Sequence, residues 1–238
     1  MYIMKFTNAL EKAVFLRRKS ENIIEADFNT LKINIFCTNS RSLENCAVAG
    51  SEIWYSPPVY APYYIPPIWQ LVELDYGNLA LVNIELLNEL FIEGLKSAMV
   101  KIPDLVYKNL TINQHVNLFN NYEYHFGIRN NNTKKNIYIN ITGSERHYFP
   151  EVNNDCTELY DLIHAKMLGY EAVLCCFVLT EGVEQLNLTR KFNPEYAALL
   201  KIALDLGVKL LAYSVSLDLR YSEIKVAKSI NIVKDRDF

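Results

Sequence analysis

The residue types best suited to chemistry lie in one short stretch. Between Tyr122 and Ser144, a run Tyr-Glu-Tyr-His-Phe-Gly-Ile precedes an Asn-rich turn, Arg129 to Asn136, and then Asn-Ile-Tyr-Ile-Asn-Ile-Thr-Gly-Ser. His125, Asn140 and Thr142 offer nitrogen or oxygen lone pairs that can ligate a cation or orient a water. Ile137, Ile139 and Ile141 alternate with Tyr138, Asn140 and Thr142, which is the period of two of a half-buried strand. Asn130 to Thr133 tolerates left-handed backbone, so the two runs predict an antiparallel hairpin with the three polar groups on one face. Taken alone, such a face is ordinarily solvated. The other histidines, His115, His147 and His164, show no metal-ligand spacing, although His147, beside Arg146 and Glu145, lies just past the hairpin and could join His125.

The elements that must position these groups follow from local pattern. Met1 to about Tyr76 is β-rich, with Ile23-Ile24, Leu31 to Phe36, Ile53-Trp54-Tyr55 and Trp69 to Leu74 separated by turns such as Asn29-Thr30, as in a small barrel. Arg17-Arg18-Lys19 is the tight basic cluster here and reads as a solvated turn or as a phosphate-contacting edge. Pro57 to Pro67 is proline- and tyrosine-rich, hence a stiff extended loop. With no Lys or Arg between Trp54 and Trp69, it is expected to pack on the protein's own body, the alternatives being a stacking platform for bases or a dock for a protein partner. Leu79 to Val82 reads as a strand leading to a helix over Glu85 to Lys96, where Leu86, Leu87, Leu90, Phe91 and Leu95 recur at helical spacing. Asn153-Asn154-Asp155 opens a second helix over Asp155 to Leu168, which contains His164 as an ordinary polar position. Val173 to Leu179 reads as a buried central strand. Asn193-Pro194-Glu195 opens a third helix over Tyr196 to Leu206, and Val208 to Tyr213 returns as a strand, the strand–helix–strand order of an α/β sheet. Lys225 to Phe238 is charged and reads as a loose tail.

Several motifs together resemble the SfsA family, the sugar fermentation stimulation protein A homologues, along nearly the whole chain. They are Phe36-Cys37-Thr38-Asn39-Ser40-Arg41 with Gly50-Ser51-Glu52-Ile53-Trp54, Gln70-Leu71-Val72-Glu73, and Leu87-Asn88-Glu89-Leu90 with Glu93-Gly94-Leu95. The most specific is Phe192-Asn193-Pro194-Glu195-Tyr196-Ala197-Ala198-Leu199-Leu200 continuing to Gly207-Val208-Lys209-Leu210-Leu211-Ala212-Tyr213. The resemblance implies an α+β or α/β protein: an N-terminal OB-like β-barrel, 1–76, followed by a restriction-endonuclease-like α/β domain of PD-(D/E)XK type, 77–238. In that type a strand Asp and a Glu-x-Lys on the next strand hold a divalent cation and activate water, because carboxylate oxygens suit hard cations such as Mg²⁺. Laid over this chain, His125 stands at the Asp position, Asn140 at the Glu and Thr142 at the Lys. None brings the negative charge that offsets desolvation of Mg²⁺, so the expectation is a pseudo-nuclease with no catalytic residue, no metal and no cofactor, and with His125, Asn140 and Thr142 as remnants. Glu93 matches a further acid of the family and, alone on a helix, reads as solvated. The basic loops usual in the family are diluted here, to Ser20-Glu21-Asn22 and to the Pro/Tyr segment.

Composition sets the remaining bounds. With 238 residues, 50% hydrophobic and 12% aromatic, the chain can bury one large core or two modest ones. A formal charge of −3 gives no global attraction to nucleic acid, so DNA binding would need a local patch, for which Arg17, Arg18, Lys19, Asn39 and Arg41 are the candidates. No apolar run approaches the ~18–20 residues of a membrane span and Met1 to Lys5 lacks a signal peptide's pattern, which predicts a cytoplasmic protein without a membrane partner. Cys37, Cys46, Cys156, Cys175 and Cys176 lack zinc spacing, and the last two read as buried free thiols. Three functions fit: a non-catalytic DNA binder, a protein-interaction module using 57–67, and a Mg²⁺-dependent nuclease rebuilt from Glu123, Glu145 or Glu151 near His125.

Overall fold

A computed structural model of the chain describes residues 4–6, 8–38, 47–60, 62–74, 77–118, 122–145, 147–151 and 154–238. Two compact units emerge: 1–97 with 179–182 and 214–227, and 98–178 with 183–213 and 228–238. The expected division at residue 76 falls inside the first of them, because the strand and helix that follow belong with the barrel.

The first unit is built on β1 (Met4–Lys5), β2 (Glu11–Ser20), β3 (Ile23–Phe28), β4 (Leu31–Phe36), β5 (Glu52–Ser56), β6 (Ile68–Glu73) and β7 (Leu79–Leu81), followed by α1 (Leu87–Lys96). Strands β2 to β6 close into a five-stranded barrel in the order β4-β3-β2-β5-β6, with Phe36 of β4 meeting Ile68 of β6 in parallel. This is the OB-like barrel expected. Alternation drives it. Ala13, Phe15, Ile24, Ala26, Ile35, Ile53, Tyr55, Trp69 and Val72 fill the interior, with Phe15 and Trp69 stacked at 5.7 Å. Residues Asn29 and Thr30 take positive φ in the β3–β4 turn, as expected. Arg17 to Lys19, by contrast, lie within β2 rather than in a turn, since β2 runs on to Ser20 through two register shifts against β3.

In the second unit, β8 (Leu110–Leu118), β9 (Tyr122–Asn130), β10 (Asn136–Ser144), β11 (Tyr148–Phe149), α2 (Thr157–Met167), β12 (Glu171–Val178), β13 (Gln185–Leu188), α3 (Pro194–Asp205) and β14 (Lys209–Asp218) follow in chain order. Its main sheet has the order β14-β12-β10-β9-β8, with β10 parallel to β12 and antiparallel to β9. The chain then leaves along β14 into the first unit, where β15 (Glu223–Ser229) pairs with β1, and returns as β16 (Asn231–Lys234) beside β13. The expected loose tail is therefore two strands. Ile224 and Val226 are buried at alternate positions, a period that the intervening charges hid.

Helices α2 and α3 pack on the face of the main sheet that carries Tyr138, Leu174, Cys176 and Val178, through Leu159, Leu162, Ala165, Tyr196, Leu200 and Ala203. Covered this way and flanked by β9 and β12, β10 is buried on both faces, with Asn140 only 1% exposed, so the expected solvated polar face does not exist. Helix α3 starts where its sequence says it should. Asn193 accepts the Tyr196 N–H through its side chain at 3.0 Å, and Pro194 occupies the first turn, where no N–H is needed. The same Asn193 amide donates to the carbonyls of Glu151 and Asn154 at 3.3 Å. Replacing Asn193 by Ala therefore removes a helix cap and a loop tie together, and urea unfolding is expected to show a loss of about 1–2 kcal/mol with an unchanged m-value.

Candidate functional site

The hairpin is as expected: Asn136 pairs with Arg129, Ile137 with Ile128, Tyr138 with Gly127 and Ile139 with Phe126. Its turn is held by Asn130, whose Oδ1 accepts the N–H groups of Asn132 and Thr133 at 2.9 and 3.0 Å. Past Phe126 and Ile139 the pairing changes character. The His125 N–H donates to Asn140 Oδ1 at 3.0 Å, and the Ile141 N–H donates to His125 Nδ1 at 2.8 Å. The two side chains take the place of backbone carbonyls, carrying the β9–β10 connection beyond its last paired residues. Asn140 Nδ2 then donates to the Glu158 carbonyl at 3.0 Å, tying β10 to α2. Thr142 Oγ1 accepts from Asn154 Nδ2 at 3.3 Å.

The sequence-predicted remnants are thus brought together, and each already has a partner. His125 Nδ1 accepts an N–H, so the neutral ring carries its proton on Nε2. Burial, reinforced by the nearby His115 charge and opposed by Glu123, lowers the His125 pKa below its ordinary 6.5. A divalent cation at these three positions would have to displace bonds that join β9, β10 and α2, and it would find no carboxylate among them. The donor set does not fit Mg²⁺ or Ca²⁺.

Acids do lie close by. Glu151 Oε1 accepts from Ser144 Oγ at 3.1 Å and from the Glu145 N–H at 2.7 Å, which fastens the segment before α2 onto the end of β10. Glu158, half-buried in α2, has its pKa pushed up to about 8, by burial first and then by Asp155 and Asp161, so it is largely protonated at neutral pH. Sequence reasoning missed Glu158; its only signal is its place in the first turn of the helix opened by Asp155. Glu93 pairs with Lys96 at 2.7 Å on α1. His147 packs on Tyr148 at 4.1 Å, and His164, expected as a plain polar helix position, stacks on Tyr122 at 3.6 Å. Arg146 lies outside the described residues.

A second candidate site is one end of the barrel. Cys37 N–H donates to the Asn22 carbonyl and Phe36 N–H to the Pro67 carbonyl, at 2.9 and 2.8 Å, so the β2–β3 turn and the β5–β6 loop emerge side by side at the end of β4. The β5–β6 loop is the Pro/Tyr segment. Val59 and Ile65 exchange both backbone bonds at its neck, at 3.0 and 2.8 Å. Beyond them Tyr60, Tyr63 and Tyr64 are 76%, 80% and 63% exposed. The expected packing onto the body is therefore wrong for these rings, because the Val59–Ile65 bridge lifts them as a hairpin tip. On the neighbouring strand, Arg17 Nε and Lys19 Nζ flank Glu25 at 2.9 and 3.5 Å, Lys19 also donates to Asn34, and Arg18 donates to the Glu21 carbonyl. The Arg17 hydrogen bond, ahead of the Lys19 charge, holds the Glu25 carboxyl below the usual range. Two acids, Glu21 and Glu25, against three cations leave this edge with a net charge of +1. Asn39 and Arg41 lie outside the described residues.

A closed five-stranded barrel joined to a helix-covered α/β sheet defines the class, and comparison with known proteins gives the family. Residues 85–221, more than half of the chain, match the family model described as "Sugar fermentation stimulation protein RE domain". A sugar fermentation stimulation protein homolog of Pseudomonas syringae pv. tomato is 28% identical over 222 residues, covering 90% of this chain and 93% of its own. That of Pseudomonas fluorescens is 26% identical, covering 98% and 100%. The structure of Pyrococcus furiosus SfsA in complex with Ca²⁺ superposes with a TM-score of 0.82 at 19% identity, covering 98% of this chain and 99% of that one. The chain belongs to the sugar fermentation stimulation protein (SfsA) family.

The His125 arrangement sets a sign for pH dependence. A folded-state pKa lowered below that of the unfolded chain contributes stability that is present above about pH 6.5 and is lost as pH falls. Urea titrations between about pH 7 and pH 5 should show stability falling with acid, and His125→Gln should flatten that fall by up to ~1.4 kcal/mol per pH unit.

Proposed function

We propose that this protein binds DNA through the barrel end formed by the β2–β3 turn and the β5–β6 loop, and that its α/β unit is a nuclease-like scaffold without cleavage activity. The first part is supported by the exposed Tyr60, Tyr63 and Tyr64 on the β5–β6 loop, whose base meets the end of β4 next to the β2–β3 turn, and by the Arg17–Lys19 cations on β2, which leads into that turn. OB-folds take oligonucleotides between these same two loops, and exposed aromatics next to cations supply base stacking and phosphate contact at once. The second part is supported by the commitment of His125, Asn140 and Thr142 to bonds within the fold. The Ca²⁺ of the Pyrococcus furiosus relative belongs to that protein; here His125, Asn140 and Thr142 offer no carboxylate to a divalent cation.

The partner is DNA, and no cofactor is required. The chain works in the cytoplasm on this reading; among the described residues, no helix is long and apolar enough to cross a membrane. Exposed tyrosines would also suit a protein partner, and the assay separates the two. Fluorescence anisotropy with single-stranded and duplex DNA should show binding that weakens from about 50 to 200 mM salt. A Tyr63→Ala, Tyr64→Ala double variant should lose about thirtyfold or more in affinity, from two stacking rings at ~1–3 kcal/mol each. Arg17→Ala with Lys19→Ala should reduce the salt slope by about one to two. Plasmid should stay intact in Mg²⁺ and Mn²⁺. Absence of any DNA affinity, with tyrosine variants that lose only a protein partner, would overturn the reading; so would metal-dependent nicking.

A further inference from the structure

The main sheet of the second unit ends at β8, and that edge is bare. β8 has β9 on one side and, among the described residues, no strand on the other. Thr111, Ile112, Asn113, Gln114 and His115 are all exposed, so neither face of the strand is covered along this stretch. An open edge presents a row of N–H and C=O groups to any strand that can pair with it, and proteins ordinarily guard such edges with charge, proline or brevity. β8 has nine residues, Leu-Thr-Ile-Asn-Gln-His-Val-Asn-Leu, and none is Lys, Arg, Asp, Glu or Pro. One irregularity interrupts it. His115 takes a φ of 49° and drops out of the register with β9, whereas Leu110 to Gln114 pair residue for residue with Asn130 to Phe126. Regular pairing on the open side is therefore confined to Leu110–Gln114.

Charge along the hairpin says which strand fits that edge. Between Leu105 and Asn136 the one acid is Glu123, which is exposed and sits opposite Asn117 near the end of β8. The cations gather at the other end. Lys108 precedes β8, Arg129 lies opposite Thr111, and Lys134 is in the β9–β10 turn, which Asn109 Nδ2 joins to the start of β8 by donating to Asn132 Oδ1 at 3.2 Å. All three are exposed, and Lys135 beside them is offset by Asp104. The edge is thus neutral along its length, positive at its start and negative at its end. An antiparallel strand of the same polarity sets plus against minus at both ends, and a second copy of this chain has that polarity.

We propose that β8 pairs with β8 of a second copy, antiparallel across a two-fold axis at Ile112. This register uses all five regular residues. It sets Ile112 against Ile112 of the second copy, Thr111 against Asn113, and Leu110 against Gln114, each of the last two pairs occurring twice as two-fold symmetry requires. Ile112, 38% exposed in the single chain, gains an apolar partner. Lys108 of each copy comes to the end of the hairpin that carries Glu123 of the other. Five residues a side make a small interface, so the dimer is weak, with a Kd on the order of 10–100 µM. The pairing does not rest on DNA binding.

Sedimentation of the full-length protein from about 1 to 200 µM tests it, with the mean mass expected to rise from one chain towards two. Ile112→Lys puts two ammonium groups face to face at the axis and should weaken the dimer about tenfold or more. Glu123→Lys should also weaken it, and adding Lys108→Glu should bring it back. These positions are exposed, so circular dichroism and the melting temperature at low concentration should match the parent. Ile112→Cys should form a disulfide-linked dimer under mild oxidation faster than Thr111→Cys, because only residue 112 meets itself across the axis. A single-chain mass at every concentration would overturn the proposal and leave the edge to a strand of another protein or to none. A dimer indifferent to Ile112→Lys, or cross-linking no faster at 112 than at 111, would overturn it equally.

Discussion

The structure of the second unit depends on how β9 and β10 stay joined after their regular pairing ends. A backbone N–H buried in a sheet must have an acceptor, and leaving it without one costs about as much as a lost hydrogen bond, roughly 1–3 kcal/mol. At Ile141 the acceptor is the His125 ring, and at His125 it is the Asn140 amide. The Asn140 amide also reaches α2 through the Glu158 carbonyl. Three elements are held by two neutral side chains. Charged carboxylates at these places could accept the same N–H groups, but an Asp cannot reach as a ring does, and a Glu at 140 would have no donor to offer the Glu158 carbonyl.

This gives a physical account of why the polar residues of β10 survive deep in an apolar sheet. An unbonded amide there would destabilise the core, whereas a satisfied one fixes register and helix position. Neighbouring Glu158 fits the same logic. Burial, with the Asp155 and Asp161 charges behind it, raises its pKa to about 8, so at neutral pH the Glu158 side chain itself adds little charge beside β10. The barrel end of the first unit, by contrast, carries exposed rings and a net positive edge.

Much of this was legible in the chain. The barrel followed from short β runs with Asn29-Thr30 between two of them, the hairpin from the isoleucine period and the Asn-rich turn, and α3 from Asn193-Pro194-Glu195, each a local signal with a local cause. The paired thiols Cys175 and Cys176 are buried and free, as their apolar run implied. What local pattern hid was tertiary. A period of two predicts one wet face, yet α2 covers it, and nothing in 136–144 announces a helix 20 residues on. The Pro/Tyr segment was misjudged for a similar reason: the Val59–Ile65 bridge that lifts the rings away is a contact across the loop, which proline content does not announce. The C-terminal strands were obscured by charges interleaved with Ile224, Val226 and Ile232.

The central claim, that His125 and Asn140 serve the sheet and not a cation, is tested most directly by the Ile141 amide. With ¹⁵N-labelled protein, its hydrogen exchange and its ¹H–¹⁵N intensity are followed as Mn²⁺ is added, alongside the His125 ring nitrogens. The account predicts an Ile141 amide protected to the level of global unfolding, a His125 ring protonated on Nε2, and no selective paramagnetic broadening at residues 125 and 139–142. Fast exchange at Ile141, or saturable broadening centred on His125 and Asn140 at micromolar Mn²⁺, would contradict it.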